Sequence, residues 1–381
     1  TLRHTLFPYT TLFRSTPSDQ NMNGKLPHFV FVSPYRHGDG MSGAWRRTTE
    51  LCKALQSEGL ARVTVLSPRP INKSIEHIPF NAEGGLILRV FKYIQLLYLL
   101  RNFRNAHIVS EFPIAPVPLR GNKILHLIHD AKFATDLGRR GKTLASFIHK
   151  CSSRICDYVL TVSAPEKIKI SSALKIEPKK IVVSKNGLSK QWFYKISYNE
   201  PEFDLIYVSN FAPHKNHLSL LKACVDSDWR IAFVGSGIGT GESTFNECIE
   251  FVNNYNLRCT FFSNLSDSEL IDIYDSSRVF AFPSKLEGFG IPFIEARCRG
   301  LPVIANDIDI FRELARSLRG TIVDFKQPSE VKKKIEQNLQ IGKDIPDTIA
   351  DYRWETIAID LINAVSRTDK TSAKGSFVGT T

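Results

Sequence analysis

Short, almost wholly apolar segments alternate with helix-like segments along most of this chain, and this alternation restricts its fold more than any other feature. Six such segments precede residue 188 and six follow residue 202. In chain order they are FVFVS, VTVLSP, AHIVS, ILHLIH, YVLTVS and IVVSKNG, then LIYVSN, RIAFVG, CTFFS, RVFAF, PVIAN and GTIVD. Apolar, β-branched segments of this length are typical of strands buried on both faces in a parallel sheet covered by helices. The pattern therefore predicts an α/β fold.

The alternation breaks over residues 188–203 and then restarts, which divides the chain in two. At 381 residues the chain exceeds the usual size of one domain. We predict an N-terminal Rossmann-like domain over residues 27–190, a C-terminal Rossmann-like domain over 204–350 and a C-terminal helix over 351–367. Two doubly wound domains of this kind bind ligands at the carboxyl ends of their strands, here in a central cleft between them.

Neither end of the chain continues this pattern. Residues 4–15 read HTLFPYTTLFRS, without a continuous apolar core or a small-residue cleavage site, so no signal peptide is predicted. The string resembles translated adapter sequence, and we interpret residues 1–26 as a disordered or artefactual extension. Residues 368–381 are small and polar, which predicts a disordered tail.

The net charge of +12 is distributed unevenly. Residues 1–190 hold 29 lysines and arginines against 12 acids, a balance of +17, whereas residues 191–381 hold 21 against 26, a balance of −5. Such asymmetry indicates an anionic partner for the first half, although a solvated basic face without a partner stays open. A membrane surface or phosphorylated lipid is favoured over nucleic acid, because no helix-turn-helix, RNP or zinc-finger pattern accompanies the charge.

No stretch reaches the roughly 18 consecutive apolar residues that suggest a membrane span. The nearest candidate is residues 86–104, LILRVFKYIQLLYLLRNFR, which two basic residues and a glutamine interrupt. At helical spacing Tyr93, Leu96, Leu97 and Leu100 share one face, with arginines close behind. A basic amphipathic helix of this kind lies in a membrane interface or packs against a sheet, and both readings stay open.

The seven cysteines form no CxxC pair and no Cys/His cluster. This is typical of core thiols in a reducing compartment, not of a disulfide scaffold or a zinc site. Two Asp-x-Asp triplets, at 226–228 and 307–309, are of a kind that is frequent by chance. We therefore predict no metal ion.

Residues 283–313 carry more functional information than any other stretch. The strand-like RVFAF is followed by a glycine-containing turn and a helix start, with Glu287 in the turn and Glu295 about one helical turn later. Ligands of parallel sheets bind where a strand ends and faces a helix N-terminus. Carboxylates suit polyols there, because each oxygen accepts two hydrogen bonds. The alternative is a βα turn with two solvated acids.

Two glycine-rich segments also follow strands. In HGDGMSG, the residues Gly40, Ser42 and Gly43 let backbone amides approach an anion, although a plain flexible loop explains the glycines equally well. VGSGIGTGES, at residues 234–243, suits the base or phosphate of a nucleotide or a structural turn. Neither segment fits the GxGxxG spacing of a dinucleotide fingerprint.

Two further strand ends carry candidate catalytic groups. Lys215, in SNFAPHKNH, precedes a helix and could neutralise a phosphate together with the helix dipole, whereas an isolated loop lysine is usually solvated. His129 ends ILHLIH, and histidine is the commonest acid or base near neutral pH. A satisfied core histidine is the alternative.

Together these segments resemble the retaining glycosyltransferases of family 4, which have the GT-B fold. EGFGIPFIE looks like the E-x7-E signature of that family. The likeness extends, in order, to the first glycine loop, HD at 129–130, TVSAPEK, SKNG and APHKNH, and covers about residues 28–366.

The resemblance implies a role for each matching residue. The implied catalytic residues are His129 at the sugar site, Lys215 at the leaving diphosphate and Glu287 at the donor sugar. Donor binding is implied for Asn210, Lys215, Gly288, Phe289, Gly290 and Glu295, with the amides of 288–290 near the sugar and phosphates and Glu295 at the ribose. Gly40, Ser42 and Gly43 would form the acceptor or phosphate loop. The family usually has an arginine where Asn210 stands, so the resemblance implies one cation and backbone amides at the diphosphate of this chain.

The resemblance also implies an activity. A sugar would move from a nucleotide-diphosphate sugar to a saccharide or lipid-linked saccharide acceptor, with retention and without cofactor or metal, in surface polysaccharide or lipopolysaccharide synthesis. A peripheral membrane surface is a further expected partner and nucleic acid is not, for an enzyme in the cytoplasm or on the inner face of the membrane. A GT-B-shaped sugar-nucleotide epimerase and a non-catalytic membrane-associated binding module stay open as alternatives.

Overall fold

A computed structural model describes residues 26–34, 43–112, 114–131, 139–196, 200–237 and 239–375. The side chains of Leu86, Thr240, 139–143 and 367–375 are outside this description, as are Gly40 and Ser42 of the predicted phosphate loop. Two separate sheets account for all the named strands in the described residues.

The first sheet has seven parallel strands in the order β3-β2-β1-β4-β5-β6-β7. Its strands are β1 His28–Val32, β2 Arg62–Ser67, β3 Glu76–Pro79, β4 His107–Ser110, β5 Lys123–Leu127, β6 Tyr158–Thr161 and β7 Ile181–Val183. The helices of this half are α1 Gly43–Ser57, α2 Leu86–Leu100, α3 Arg139–Ile155 and α4 Ala164–Leu174.

The second sheet has six parallel strands in the order β10-β9-β8-β11-β12-β13. Its strands are β8 Phe203–Val208, β9 Arg230–Val234, β10 Arg258–Phe262, β11 Ser277–Phe282, β12 Val303–Asn306 and β13 Thr321–Val323. The helices that follow in chain order are α5 His217–Ala223, α6 Glu242–Asn254, α7 Asp267–Asp275, α8 Ile291–Cys298, α9 Asp309–Leu318, α10 Pro328–Leu339 and α11 Trp354–Gly375.

The predicted pair of doubly wound α/β domains is confirmed, and each of the twelve predicted strands lies within or beside an observed one. β3 was not predicted. Its sequence, EHIP, is short and only partly buried because it lies at the edge of the sheet, so it lacks the apolar run that marks the central strands. The last helix continues to Gly375, beyond the predicted helix end at 367 and into the segment that was predicted to be disordered.

Each face of the first sheet carries its own core. One core packs α2 and α4 against the sheet, with Leu96, Leu100, Ile170 and Leu174 among its buried members. The core on the other face joins α1 to α11, which supplies the buried Trp354 and Ile357. The last helix therefore crosses back from the second sheet and packs on the first domain.

The segment between the sheets is tied to the second domain. It contains a 3-10 turn, Lys190–Phe193, in which Trp192 is buried. Arg299 is almost completely buried, pairs with Asp275, and donates to the carbonyl oxygens of Trp192 and Tyr194, each at 2.9 Å. A buried guanidinium needs such partners because an unpaired charge is costly in the interior. This network fixes where the chain enters the second domain.

Candidate active site

The predicted sugar-binding turn of the second domain lies against the first domain. A Cβ atom placed on Gly288 would lie 3.4 Å from both the Cβ of Asp130 and the carbonyl oxygen of His129. Ser163, after β6, donates a 2.9 Å hydrogen bond to the carbonyl of Gly288. The strand ends that carry His129 and Glu287 therefore meet across the cleft, as parallel sheets with facing carboxyl edges allow.

The turn after β11 has the shape that its glycines permit. Gly290 has φ +86°, in the left-handed region, and is the N-cap of α8. A Cβ there would also lie 3.1 Å from the ring of Phe311, so glycine is favoured by both conformation and space. The side chain of Phe289 is buried in the core, 5% exposed. Any contribution of residues 288–290 to a ligand would thus come from their backbone amides, as the resemblance implied.

Lys215 and Glu287 are brought together. Lys215 Nζ lies 2.6 Å from Glu287 Oε1, and the two side chains are 17% and 14% exposed. Lys215 ends a 3-10 turn, Pro213–Lys215, directly before α5, and Tyr207 donates a 2.8 Å hydrogen bond to its carbonyl. Two groups that were predicted separately form one partly buried ion pair at the strand ends.

Glu295 lies one turn into α8, as predicted, but it is only 4% exposed. Tyr274 donates a 3.0 Å hydrogen bond to its Oε2. Burial raises the pKa of Glu295 to about 7, and the nearby Arg46 guanidinium opposes part of that rise. A narrow cavity between the domains is lined by Glu295, Arg46 and Gly43. The structure therefore brings the start of α1, where the predicted glycine loop ends, next to the second acid of the signature.

Arg46 also ties the domains together, which the sequence did not predict. Its Nη2 contacts both carboxylate oxygens of Asp267, at the start of α7, at 2.5 Å. Gln191, in the segment between the sheets, donates a 2.7 Å hydrogen bond to the same carboxylate. Arg46 sits in a basic pair at the start of a helix, and that pattern does not reveal a partner 221 residues away.

A buried acid beside His129 was also missed. Glu111, directly after β4, accepts hydrogen bonds of 2.7 Å from Ser33 and from Thr48. His129 Nε2 lies 3.6 Å from Glu111 Oε1. Burial by itself would raise the pKa of Glu111, but the contacts of His129, Ser33 and Thr48 outweigh it and leave that pKa below its ordinary value. The carboxylate of Glu111 thus lies beside the imidazole of His129 without a hydrogen bond between them.

The remaining candidates separate into those that can face a ligand and those that pack. Asn210 is exposed at the end of β8, and Gly43 is the first residue of α1. In the second glycine-rich segment, a Cβ on Gly235 would lie 1.9 Å from the carbonyl oxygen of Ser209, and one on Gly241 would lie 2.5 Å from that of Phe211. These two glycines allow close backbone packing around Asn210, which favours the structural-turn interpretation.

The acidic triplet at 307–309 is engaged by an arginine. Arg312 donates to both carboxylate oxygens of Asp307 and lies 3.3 Å from Asp309. Throughout the described ranges, no group of three or more His, Cys, Asp or Glu residues is arranged to hold a metal ion. The seven cysteines are unpaired thiols, and five are buried. In the same ranges no helix has the length and apolarity that crossing a bilayer requires.

Two family models match successive parts of the chain. The model described as Glycosyltransferase Family 4 matches residues 41–192. The model described as Glycosyl transferases group 1 matches residues 189–350. The boundary between the two matches falls in the segment between the two sheets, so each model covers most of one domain.

Similar proteins include the O-antigen chain mannosyltransferase RfbU of Salmonella typhimurium, which is 30% identical over 282 residues, 73% of this chain and 76% of that protein. Sucrose-phosphate synthase from Thermosynechococcus elongatus superimposes with a TM-score of 0.72 at 17% identity, over 91% of this chain and all of that one. Anabaena HepE in complex with UDP-glucose gives 0.66 at 14% identity, over 91% and 99%. At these identities the solved structures establish the fold alone.

Proposed function

We propose, from the premise that this chain is a glycosyltransferase belonging to family 4, that it transfers a sugar with retention from a nucleotide-diphosphate sugar to a saccharide or lipid-linked saccharide acceptor. The two family models and the RfbU match confirm the resemblance to family 4, and the solved structures confirm the GT-B fold. The observation that carries the proposal is the Lys215–Glu287 pair at the strand ends, with His129 on the facing domain.

Each group of the site is assigned one part of the donor. Lys215 binds the diphosphate, Glu287 accepts hydrogen bonds from sugar hydroxyls, and Glu295 binds the ribose. The last assignment rests on the resemblance and on the position of Glu295 at the cavity between the domains. The backbone amides of residues 288–290 and the side chain of Asn210 complete the donor site.

The reaction needs one bond to break and one to form at the anomeric carbon. The bond to the diphosphate oxygen breaks, the acceptor oxygen bonds on the same face, and the acceptor proton passes to the leaving diphosphate. Negative charge grows on that diphosphate, and a preorganised ammonium such as Lys215 stabilises it best. Glu287 is held by Lys215, which weakens it as a nucleophile and supports front-face transfer over a covalent glycosyl-enzyme.

The acceptor and the location are inferred from a similar protein and from the charge of the first half. RfbU is an O-antigen chain mannosyltransferase, which supports a role in surface polysaccharide or lipopolysaccharide synthesis and a hexosyl donor. The basic first half supports an anionic, lipid-linked acceptor. We place the enzyme in the cytoplasm, peripheral on the inner face of the membrane, working without metal or cofactor and without a nucleic-acid partner.

A donor screen followed by a product assay tests the proposal. GDP-mannose, UDP-glucose and ADP-glucose are compared for the rise in unfolding midpoint that a ligand of the native state causes. The stabilising donor is then incubated with lipid-linked saccharide extract, with and without EDTA. Proton NMR of the product gives the anomeric configuration. An inverted product contradicts the mechanism, loss of turnover in EDTA contradicts metal independence, and epimerised donor without transfer supports the epimerase instead.

A further inference from the structure

Helix α2 turns an apolar face outward. Its side chains at Ile87, Phe91, Ile94 and Tyr98 are 77%, 64%, 59% and 63% exposed, and Val90 between them is also exposed. These positions recur at intervals of three and four residues, so they form one stripe along the helix. The opposite side of α2 is the one that packs on the sheet, through Leu96 and Leu100. Both sides of the helix are therefore apolar, and no other described part of the chain covers the outer one.

The stripe continues onto neighbouring elements. Leu144 and Phe147 of α3 are exposed, as are Ile114 and Val117 in the loop after β4. Two hydrogen bonds hold these pieces side by side. Tyr93 of α2 donates to the carbonyl of Ala115 at 3.0 Å, and the amide of Ala115 donates to Ser152 of α3, also at 3.0 Å. We call these exposed apolar side chains together the apolar face; it comprises the outer sides of α2 and α3 and residues 114–117.

The charged residues of α2 and α3 all have one sign. Neither α2 nor α3 contains an acidic residue. Residues 84–155 as a whole hold twelve lysines and arginines against three acids, of which Glu111 is buried within the domain. Exposed arginines flank the apolar side chains: Arg89, Arg101, Arg104 and Arg154. An apolar stripe on two helices whose only charged residues are basic complements the interface of an anionic bilayer, and a second copy would bring like charges together.

The apolar face also reaches the catalytic edge of the domain. α2 follows β3 and α3 follows β5, so both helices begin beyond the carboxyl ends of parallel strands. His129 lies just past the end of β5, on that same edge. Ile87 in the first turn of α2 and Leu144 in the second turn of α3 therefore lie towards the same end of the domain as the cleft.

We propose that the apolar face docks on a bilayer containing anionic lipid and so presents the first-domain side of the cleft to the membrane plane. The orientation towards an acceptor rests on the proposed function, whereas lipid binding itself does not. Side chains of α2 and α3 enter the interface between head groups and acyl chains, and the flanking arginines contact lipid phosphates.

Co-sedimentation of the full chain with vesicles, without donor or acceptor, tests the docking. We expect binding to phosphatidylcholine–phosphatidylglycerol vesicles that weakens as salt is raised and is at least about tenfold weaker on phosphatidylcholine alone. The double substitution Phe91→Ser/Ile94→Ser should reduce binding at least about tenfold, because it removes two apolar side chains that insert into the bilayer in the proposed complex. The matched control is Ile341→Ser, at a side chain 54% exposed in the second domain.

Three results would overturn the docking. They are equal binding of the double variant and wild type, equal binding to neutral and anionic vesicles, and a wild-type dimer in light scattering that the double substitution disperses. The last result would assign the face to a second copy of the chain. An unchanged unfolding midpoint excludes misfolding of the variant. Transfer to a soluble acceptor should persist in the variant, so failed lipid binding and failed catalysis are distinguishable.

Discussion

Lys215 and Glu287 lie 72 residues apart in the chain, yet their side chains meet at 2.6 Å in the cleft. The carboxylate of Glu287 keeps the ammonium from folding back into solvent, and its second oxygen stays available to a sugar hydroxyl. The partial burial of the pair strengthens the attraction relative to a surface pair. The group proposed for the diphosphate and the group proposed for the sugar are thus positioned by each other.

Replacing Lys215 by alanine should lower turnover by about 10²- to 10³-fold, the usual effect of removing one preorganised donor from a developing anion. The acceptor Michaelis constant should change little, because Lys215 is assigned to the donor. Steady-state kinetics with varied acceptor measures both quantities. Lys222→Ala, an exposed lysine on α5, is the matched control. Unchanged turnover in Lys215→Ala would remove this residue from the mechanism.

Introducing an arginine at the exposed Asn210 should strengthen binding of the nucleoside diphosphate by about fivefold, as one additional exposed charge pair would give. Titration calorimetry with the free diphosphate measures this. Asn210→Gln lengthens the side chain without adding charge and serves as the control. If both variants bind equally, residue 210 does not reach the phosphates.

Glu295 should make stability depend on pH. Its folded pKa of about 7 lies above the ordinary 4.5, so between these values the folded chain keeps a proton that the unfolded chain releases. Stability should therefore fall as pH rises from about 4.5 to about 7, by roughly 3 kcal/mol in total. Unfolding midpoints across this range measure the slope, which Glu295→Gln should reduce. A slope that is unchanged by this substitution, and equal to that of the exposed Glu330→Gln, would contradict the assignment.

Glu111 and His129 should behave as one unit. Glu111→Gln removes the negative charge that lies 3.6 Å from the imidazole, and we expect turnover to fall by about tenfold. His129→Asn should lower turnover as well, and the double variant should be no worse than the more damaging single variant. A double-mutant cycle measures this coupling, and effects that simply multiply would show that the two residues act independently.

Much of the fold was predictable because a buried strand has a recognisable local sequence, a short run of apolar residues. Segments such as FVFVS and RVFAF are apolar at four of their five positions since helices cover both faces of their sheets. β3 could not be predicted in this way, because an edge strand is half solvated and its residues need not be apolar. The positions of three candidate site residues were predictable for the same reason, because Glu287, Lys215 and His129 each follow a strand.

The pairings within the site depend on tertiary structure alone. Which strand ends are neighbours depends on the order of the strands in the sheet, and β4 lies beside β1 only because the chain returns across the sheet after β3. The contacts of Glu111 with Ser33 and His129, and of Arg46 with Asp267, join residues whose local sequences carry no sign of each other. Local periodicity encodes burial, whereas the sheet order and the closure of one domain on the other decide which polar groups meet.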